Sequence, residues 1–331
     1  MNNAAGLTVL GSLNMDISVT VRDLPGPGAT VLGSAAVFAP GGKGANQAVA
    51  AARLGGEGLP VAMIGCTGDD DFGRTLRVAL RAEGVDDSAV RTATGVPTGI
   101  AMITVDRAGE NIITVSPGAN HELSAADVSD ITSTTRVLVI SAEVPVPVIS
   151  AALSASAGRL LRVLNLAPAP PEAAELVAAG PDWLVVNESE AAAVLGRPVS
   201  GLADAATAAA DLAAAGARNA VVTAGAAGAA YCGLPAAGGG TRPVDGGKPV
   251  VVTVPGFKVQ ATDTVGAGDT FVGALAVALA GGVPPADAVT AAAAAGATAA
   301  TRPGTQSGMP RPADILAVTG HRWPEPAPGR R

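Results

Sequence analysis

The sequence predicts an α/β sandwich with a mainly parallel central sheet and a small protruding β-sheet. Three observations on the 331-residue chain lead to this fold class. Short, continuously apolar runs alternate with segments of helical length along most of the chain. Two stretches of short alternating strands interrupt that order. Aromatic residues make up 2% of the chain against 48% hydrophobic residues in all, so Ala, Val, Leu and Ile must build the core.

Six apolar runs are typical of strands that are buried on both faces of a parallel sheet. They are Leu7–Ser12, Val61–Cys66, Arg136–Ser141, Leu161–Ala167, Asp182–Asn187 and Asn219–Thr223. Between them, Asp71–Glu83 and Ala203–Ala215 are the clearest amphipathic helix candidates. This alternation of strands and helices predicts right-handed crossover connections.

The stretches 16–38 and 98–116 contain short alternating strands with no helix pattern between them. Because exposed sheet edges need cover, we expect these strands to form the small second sheet and to act as a lid, a dimer surface or both. Gly233–Lys248 is rich in Gly and Pro, which predicts a hairpin insertion. We expect one domain over residues 1–310, followed over 311–331 by a short helix, Ala313–Val318, and a Pro-rich tail.

Charge and composition exclude several classes of protein. The net charge of −7, without a basic run, disfavours nucleic acid as the main partner. The longest apolar stretch, Phe271–Val283, is too short to span a membrane, and the first residues lack the basic region of a signal peptide. Cys66 and Cys232 lie in apolar runs, which predicts buried, reduced thiols in a cytoplasmic protein. The two isolated histidines disfavour a zinc site or a His-based triad.

The stretch ATDTVGAGDTFVG carries the strongest chemical signal. We expect a strand, Phe257–Gln260, to run into the turn Gly266-Ala267-Gly268 and then into a helix whose first turn holds Asp269. Small residues let backbone amides converge there, and the helix start adds about half a positive charge. An acidic side chain beside such an anion hole suits a general base for phosphoryl transfer. The alternative is a capping Asp beside glycines that only permit a tight turn.

The stretch APGGKGAN resembles a phosphate loop, but no Ser or Thr follows Lys43. Gly41, Gly42 and Gly44 open a helix and allow close backbone approach to a ligand. Asn46 offers both a donor and an acceptor, which suits a polyhydroxylated ligand. The alternative interpretation is a plain helix N-terminus.

Asn14 and Asp16 directly follow the first strand, and Glu143 follows the strand Arg136–Ser141. Ligands of α/β proteins bind at the carboxyl ends of strands. A carboxylate at Asp16 could accept two hydroxyls of a furanose, although a structural Asx-turn would also explain these residues.

Two further motifs follow predicted strands, and each has two possible interpretations. Glu188 and Glu190 lie in the first turn of a predicted helix, where the helix dipole favours acidic residues without any function. Asn187 with Glu190 could instead hold a hydrated Mg²⁺ near a triphosphate. The turn 223–228 is open enough for a nucleotide, or it is a simple hairpin.

Taken in order along the chain, these motifs resemble those of the ribokinase family of carbohydrate kinases. The series is N-x-D at Asn14, GGKGAN, N-x-x-E at Asn187, T-x-G-x-x-G at Thr223 and DTVGAGDTF. The similarity runs from about Leu7 to Pro310. It implies a three-layer α/β/α sandwich, ATP-dependent transfer to the 5-hydroxyl of ribose, a lid that closes over the sugar, and a homodimer formed through the lid. GGKGAN with N-x-D points to ribose rather than fructose or adenosine.

The resemblance also implies roles for individual residues. Asp269 would be the general base, and Gly266, Ala267 and Gly268 would form the anion hole. The sugar would be bound by Asn14, Asp16, Gly42, Lys43, Gly44, Ala45, Asn46, Glu143 and Asp269. ATP would be bound by Asn187, Thr223, Ala224, Gly225, Ala226, Ala227, Gly228, Gly268 and Ala293. Asn187 and Glu190 would organise Mg²⁺ through water. A K⁺ site would use Asp263, Val265, Ala299, Arg302, Gly304 and Gly308.

The chain departs from the family pattern at three places. Gly308 stands where the family commonly has Ser, and Ala293 where it often has Asn. The turn 225–228 lacks the polar residue often found there. Two alternatives remain open: a kinase of the same family for another pentose, 2-deoxyribose or a nucleoside, and a non-catalytic sugar- or nucleotide-binding protein.

Overall fold

The computed structural model describes residues 6–129, 131, 134–233 and 249–324. Its larger sheet has ten strands in the order β14-β13-β12-β11-β10-β9-β1-β4-β5, with β6 also paired to β4. The strands from β12 to β5 are parallel, and β13 and β14 pair antiparallel at one edge. They are β1 Gly6–Leu10, β4 Val61–Gly68, β5 Val85–Asp86, β6 Val90–Ala93, β9 Thr135–Ser141, β10 Leu161–Asn165, β11 Trp183–Asn187, β12 Asn219–Thr223, β13 Gly228–Gly233 and β14 Val250–Pro255.

Helices cover both faces of this sheet, which confirms the sandwich. Successive residues of β9 alternate between two cores: Val137 and Val139 pack on one face, Leu138 and Ile140 on the other. Both faces are apolar because both are covered, as the continuous apolar runs predicted. The first core is closed by α1 Lys43–Gly55, α2 Asp71–Ala82, α7 Ala267–Ala280, α8 Pro285–Ala299 and α10 Pro312–Thr319; the second by α3 Val146–Ser156, α4 Ala173–Ala178, α5 Glu188–Leu195 and α6 Gly201–Ala214. A single turn, α9 Thr305–Gly308, precedes α10.

The predicted second sheet is confirmed. Its order is β3-β2-β7-β8, and we call these four strands the lid. Strands β2 and β7 are parallel, and β3 and β8 flank them antiparallel. All six residues of β8 are exposed. The strands are β2 Asn14–Thr20, β3 Val37–Gly41, β7 Gly99–Val105 and β8 Asn111–Ser116.

One predicted strand is wrong. Residues 257–260 have no regular structure, and the edge strand β14 ends before them at Pro255. Gly256 follows and donates its amide to the carbonyl of Ala227 at 3.0 Å, outside the sheet ladder. Phe257 then packs on the first core and against the ring of His321, 5.9 Å away. The chain therefore reaches the Gly-rich turn through an irregular segment.

The other elements agree with their predictions where the structure describes them. The helix predicted at Ala313–Val318 is α10, and both cysteines are buried and unbonded to each other. The interior of the predicted hairpin insertion, 234–248, and the end of the Pro-rich tail, 325–331, lie outside the described residues. Among the helices of the described ranges, none combines the length and the apolar character needed to cross a bilayer.

Candidate active site

The turn before α7 places Asp269 at a helix N-terminus beside available amides. Gly266 caps the helix with φ +78°, and a Cβ there would meet the Thr305 side chain at 2.8 Å, so the turn needs glycine. The amides of Gly266 and Gly268 have no acceptor within the described ranges. The amide of Ala267 donates to the carbonyl of Thr264 at 3.2 Å. Two of the three predicted anion-hole amides therefore remain free to bind an anion.

Two side-chain amides from α1 hold the Asp269 carboxylate. Asn46 Nδ2 donates to Oδ2 at 2.9 Å, and Gln47 Nε2 donates to Oδ1 at 3.1 Å. Gln47 is fully buried and also donates to Asn165 Oδ1 at 2.9 Å, at the end of β10. Asp269 itself is 8% exposed. The carboxylate is thus fixed in direction at the base of the cleft, as a general base requires.

The residues predicted to bind a sugar gather next to this carboxylate, where the lid joins the main sheet. Asp16 lies in β2 opposite Ala39 of β3, and its side chain occupies the space beside Gly41. A Cβ at Gly41 would lie 2.1 Å from Asp16 Oδ2, so glycine leaves room for this carboxylate. Glu143 Oε2 accepts from Ser12 Oγ at 2.5 Å and from the backbone amide of Lys43 at 3.2 Å. Both acidic groups are only partly exposed.

Asn14 and the glycines of α1 complete this region. Asn14 Oδ1 accepts from Asn120 Nδ2 at 2.8 Å, so the Asn14 amide nitrogen is the atom turned away from that contact. Gly42 has φ +90° and packs on the backbone of residues 12–14, and Gly44 packs equally closely on Gly11. These close approaches bring the start of α1, including Ala45, onto the end of β1.

The cluster has an unusual charge balance. Burial, then the neighbouring Glu143 and Asp269 carboxylates, raise the pKa of Asp16 from 3.8 to about 7, while Lys43 opposes the rise. Asp269, ahead of the other acidic groups, raises the pKa of Lys43. Burial raises the pKa of Glu190, although the Asn187 amide and Lys43 act against it. Lys43 therefore interacts both with Asp16 and Glu143, which are predicted to bind the sugar, and with Glu190, which is predicted to lie near the nucleotide.

A cavity of about 320 Å³ opens beside Asp269. Among the predicted site residues it is lined by Lys43, Asn187, Glu190, Thr223, Val265, Gly266, Gly268 and Asp269. The remaining predicted nucleotide residues do not line it: Ala224, Gly225, Ala226, Ala227 and Gly228 form the turn between β12 and β13, and Ala293 lies on α8. That turn is the 3₁₀ connection of an antiparallel hairpin, in agreement with the simpler of the two interpretations.

Asn187 and Glu190 form a capping box at the start of α5. Asn187 Oδ1 accepts from the Glu190 amide at 2.9 Å, and the Asn187 amide donates to Glu190 Oε2 at 2.8 Å. Glu188 accepts from the amide of Gly201 at 2.5 Å, which gives it a structural role. Since the box holds the Glu190 carboxylate at the cavity wall, hard oxygen donors face the space beside Gly266 and Gly268.

Three of the predicted K⁺ ligands, Ala299, Arg302 and Gly308, lie close together where α8 ends. The carbonyl oxygens of Arg302 and Ala299 lie 3.2 and 3.5 Å from the position that a Cβ of Gly308 would occupy. Both oxygens of the Asp263 carboxylate accept backbone amides, from Val265 at 3.0 Å and from Gly304 at 2.9 Å. The Ala299 carbonyl also accepts the amide of Arg302 at 3.1 Å, and Asp263 ties the loop before α7 to Gly304.

Sequence reasoning missed several residues of this site. Gln47 and Asn165 contact the carboxylate network, Gln306 donates to Asn46 Oδ1 at 3.1 Å, and Ile113 of the lid lines the cavity. Asn165 stands at the end of an apolar strand, like Asn187, and that rule would have found it. Gln47 was visible as a polar residue inside an apolar helical run.

Comparisons with known proteins agree with this geometry. A family model described as pfkB family carbohydrate kinase matches residues 4–312. The chain is 36% identical over 324 residues to a ribokinase of Schizosaccharomyces pombe, covering 95% of this chain and 96% of that protein. The structure of a Thermotoga maritima ribokinase is similar with a TM-score of 0.79 at 31% identity, covering 95% of this chain and 98% of that one. An Arabidopsis thaliana ribokinase complexed with ribose and ATP has a TM-score of 0.77 at 28% identity, covering 96% and 99%.

Proposed function

The chain belongs to the pfkB family of carbohydrate kinases, and on that premise we propose that it phosphorylates D-ribose at its 5-hydroxyl with ATP. The observation that carries this proposal is the position of Asp269. Its buried carboxylate lines one cavity with Gly266 and Gly268, whose amides are free, and it is close enough to Asp16, itself beside Glu143, to raise the pKa of that residue after burial. A base between an anion hole and a polyol site is the arrangement that transfer to a sugar hydroxyl requires.

The sugar is recognised by groups of opposite hydrogen-bonding character. Asp16 and Glu143 present carboxylate acceptors for sugar hydroxyls, and Asn14 presents its amide nitrogen as a donor. The register of the lid puts Ala101 and Val115 in one row with Asp16. These small apolar residues suit the carbon face of a furanose.

Asp269 then removes the proton of the 5-hydroxyl as the oxygen attacks the γ-phosphorus of ATP. The O–P bond to the sugar forms while the bond to the ADP oxygen breaks, and the proton goes to the carboxylate. The hydrogen bonds from Asn46 and Gln47 fix the orientation of that carboxylate. The amides of Gly266 and Gly268 receive the charge that develops on the transferred group. Lys43 adds a positive charge at the same cavity.

The nucleotide would enter along the cavity wall formed by Asn187, Thr223 and Gly268. Glu190 would hold Mg²⁺ through water, since its carboxylate is fixed by the capping box. Bound there, the ion would neutralise charge on the nucleotide phosphates. The chain's own contribution is to place Glu190 and Lys43 on the wall of one cavity, where the two groups interact electrostatically.

The carbonyls of Ala299 and Arg302 would hold K⁺ next to Gly308. A cation at that position would stiffen the segment 302–308, to which Asp263 ties the loop before α7. Gly308 contributes no side-chain oxygen, so the backbone would supply most ligands.

The lid is the surface through which we propose that two copies associate. Its strand β8 exposes apolar residues on both faces, with Ile112 48% and Ile113 50% exposed. Ile113 also lines the cavity. A second copy that covered these residues would bury apolar area and exclude water from the sugar, which protects ATP from hydrolysis.

A coupled kinase assay over ribose, 2-deoxyribose, fructose and adenosine tests the substrate. We expect ribose to have the highest kcat/KM, and Asp269→Asn to lower kcat by about 10²–10⁴-fold while both substrates still bind. Preference for another acceptor would replace ribose in the proposal. Near-normal turnover by Asp269→Asn would refute the role of the base, and ribose binding without turnover by the wild type would favour a binding protein.

A further inference from the structure

A polar side chain that the proposed reaction does not use connects α9 to the general base. Gln306 Nε2 donates to Asn46 Oδ1 at 3.1 Å, and Asn46 Nδ2 donates to Asp269 Oδ2 at 2.9 Å. Asn46 is 5% exposed, so water does not readily replace either contact. The three side chains form one directed chain of hydrogen bonds.

We propose that Gln306 is a positioning residue for Asp269, acting through the orientation of the Asn46 amide; this inference rests on the proposed function. An ionised carboxylate only accepts hydrogen bonds, so Asn46 must turn its nitrogen to Asp269. Its oxygen then faces Gln306 and needs a donor. The Gln306 amide nitrogen supplies that donor and fixes the Asn46 amide in the orientation that serves the base.

The segment that carries Gln306 is itself held from two sides. Arg53 Nη1 donates to the carbonyls of Gln306 at 2.6 Å and Met309 at 2.8 Å, while its Nε and Nη2 bind the Glu83 carboxylate. Arg53 lies seven residues after Asn46 on α1, so both residues are on one face of the helix. That face contacts the Gln306 side chain through Asn46 and the Gln306 carbonyl through Arg53. Gly304, two residues before Gln306, donates to Asp263 at 2.9 Å. One short segment thereby sets the position of the base and of the loop before the anion hole.

The test compares two substitutions whose order of severity differs between a positioning and a packing role. Gln306→Glu keeps the shape but presents only acceptors, so Asn46 must turn its nitrogen toward residue 306 and its oxygen toward Asp269. Gln306→Leu loses one neutral hydrogen bond without forcing that reversal. We expect kcat to fall on the order of 10–100-fold for Gln306→Glu and about 3–10-fold for Gln306→Leu, with KM for ATP nearly unchanged. A packing role predicts the opposite order.

Two further measurements separate action through Asn46 from a general effect of charge. Gln306→Glu should move the acid limb of the kcat/KM–pH profile to higher pH, because the base loses a donor that favours its charged form. In an Asn46→Ala background, Gln306→Glu should lose most of its effect. The matched control is Gln260→Glu, the same change at an exposed residue, which should leave kcat unchanged.

Wild-type enzyme and thermal unfolding are measured in parallel. Inactive wild type would refute the proposed function; active wild type with a folded, fully active Gln306→Glu would refute this inference alone. An undiminished effect of Gln306→Glu in the Asn46→Ala background would also overturn it.

Discussion

Replacing Asp16 by Asn should stabilise the protein while impairing sugar binding. In the folded chain burial, and then the neighbouring Glu143 and Asp269 carboxylates, raise the pKa of Asp16 from 3.8 to about 7. Between these two values the folded protein keeps a proton that the unfolded chain has lost. Wild-type stability must therefore fall as pH rises through this range and then level off above about 7. An Asn side chain has the same shape and does not titrate.

The magnitude follows from the pKa difference. Near about pH 5 the unfolded carboxylate is already ionised, and the folded one stays protonated until pH reaches about 7. Two pH units at about 1.4 kcal/mol each give a relative gain for Asp16→Asn of about 2–3 kcal/mol between about pH 5 and about pH 8. Partial exposure makes this an upper range.

Urea unfolding of both proteins without sugar, followed through the fluorescence of the buried Trp183, measures the difference. The matched control is Asp23→Asn, whose side chain is 85% exposed and which should show no such pH-dependent gain. Asp16→Asn should also raise KM for ribose roughly 10–100-fold, because the sugar hydroxyls lose a charged acceptor. A stability difference that stays constant from about pH 5 to about pH 8 would refute the reasoning.

Two other predictions concern the cation and the lid. Activity in K⁺ should exceed activity in Li⁺ several-fold, since the carbonyl oxygens of Ala299 and Arg302 both lie close to Gly308. Equal rates in the two salts would count against a cation at that segment. Wild type should sediment as a dimer. Ile112 and Val115 lie on opposite faces of β8, and at least one of the variants Ile112→Lys and Val115→Lys should sediment as a monomer. A wild type that sediments as a monomer, or two dimeric variants, would contradict association through the lid.

The sequence alone determined the layered α/β fold and most of the candidate site. Continuous apolar runs specify strands covered on both faces, and polar residues at their carboxyl ends must meet at one sheet edge. Asn187 and Thr223, at the ends of β11 and β12, line one cavity there. Local signals also specified the glycine turn at Gly266. They failed at 257–260, because the ladder ends at Pro255 and Phe257 packs on the core instead of continuing the strand.

Only the tertiary structure decided which side chains hold the Asp269 carboxylate and how burial and neighbouring carboxylates change the pKa of Asp16. Gln47 and Asp269 are 222 positions apart in sequence, and Asn46 and Gln306 are 260 apart. No local pattern specifies such a pair, since its geometry depends on how α1, α7 and α9 pack together. The raised pKa of Asp16 likewise arises from burial and from carboxylates contributed by distant segments. The hydrophobic periodicity that specifies a strand or helix is a property of neighbouring residues. The hydrogen-bond partners and the electrostatic environment of a side chain are set only when the folded chain brings distant segments together.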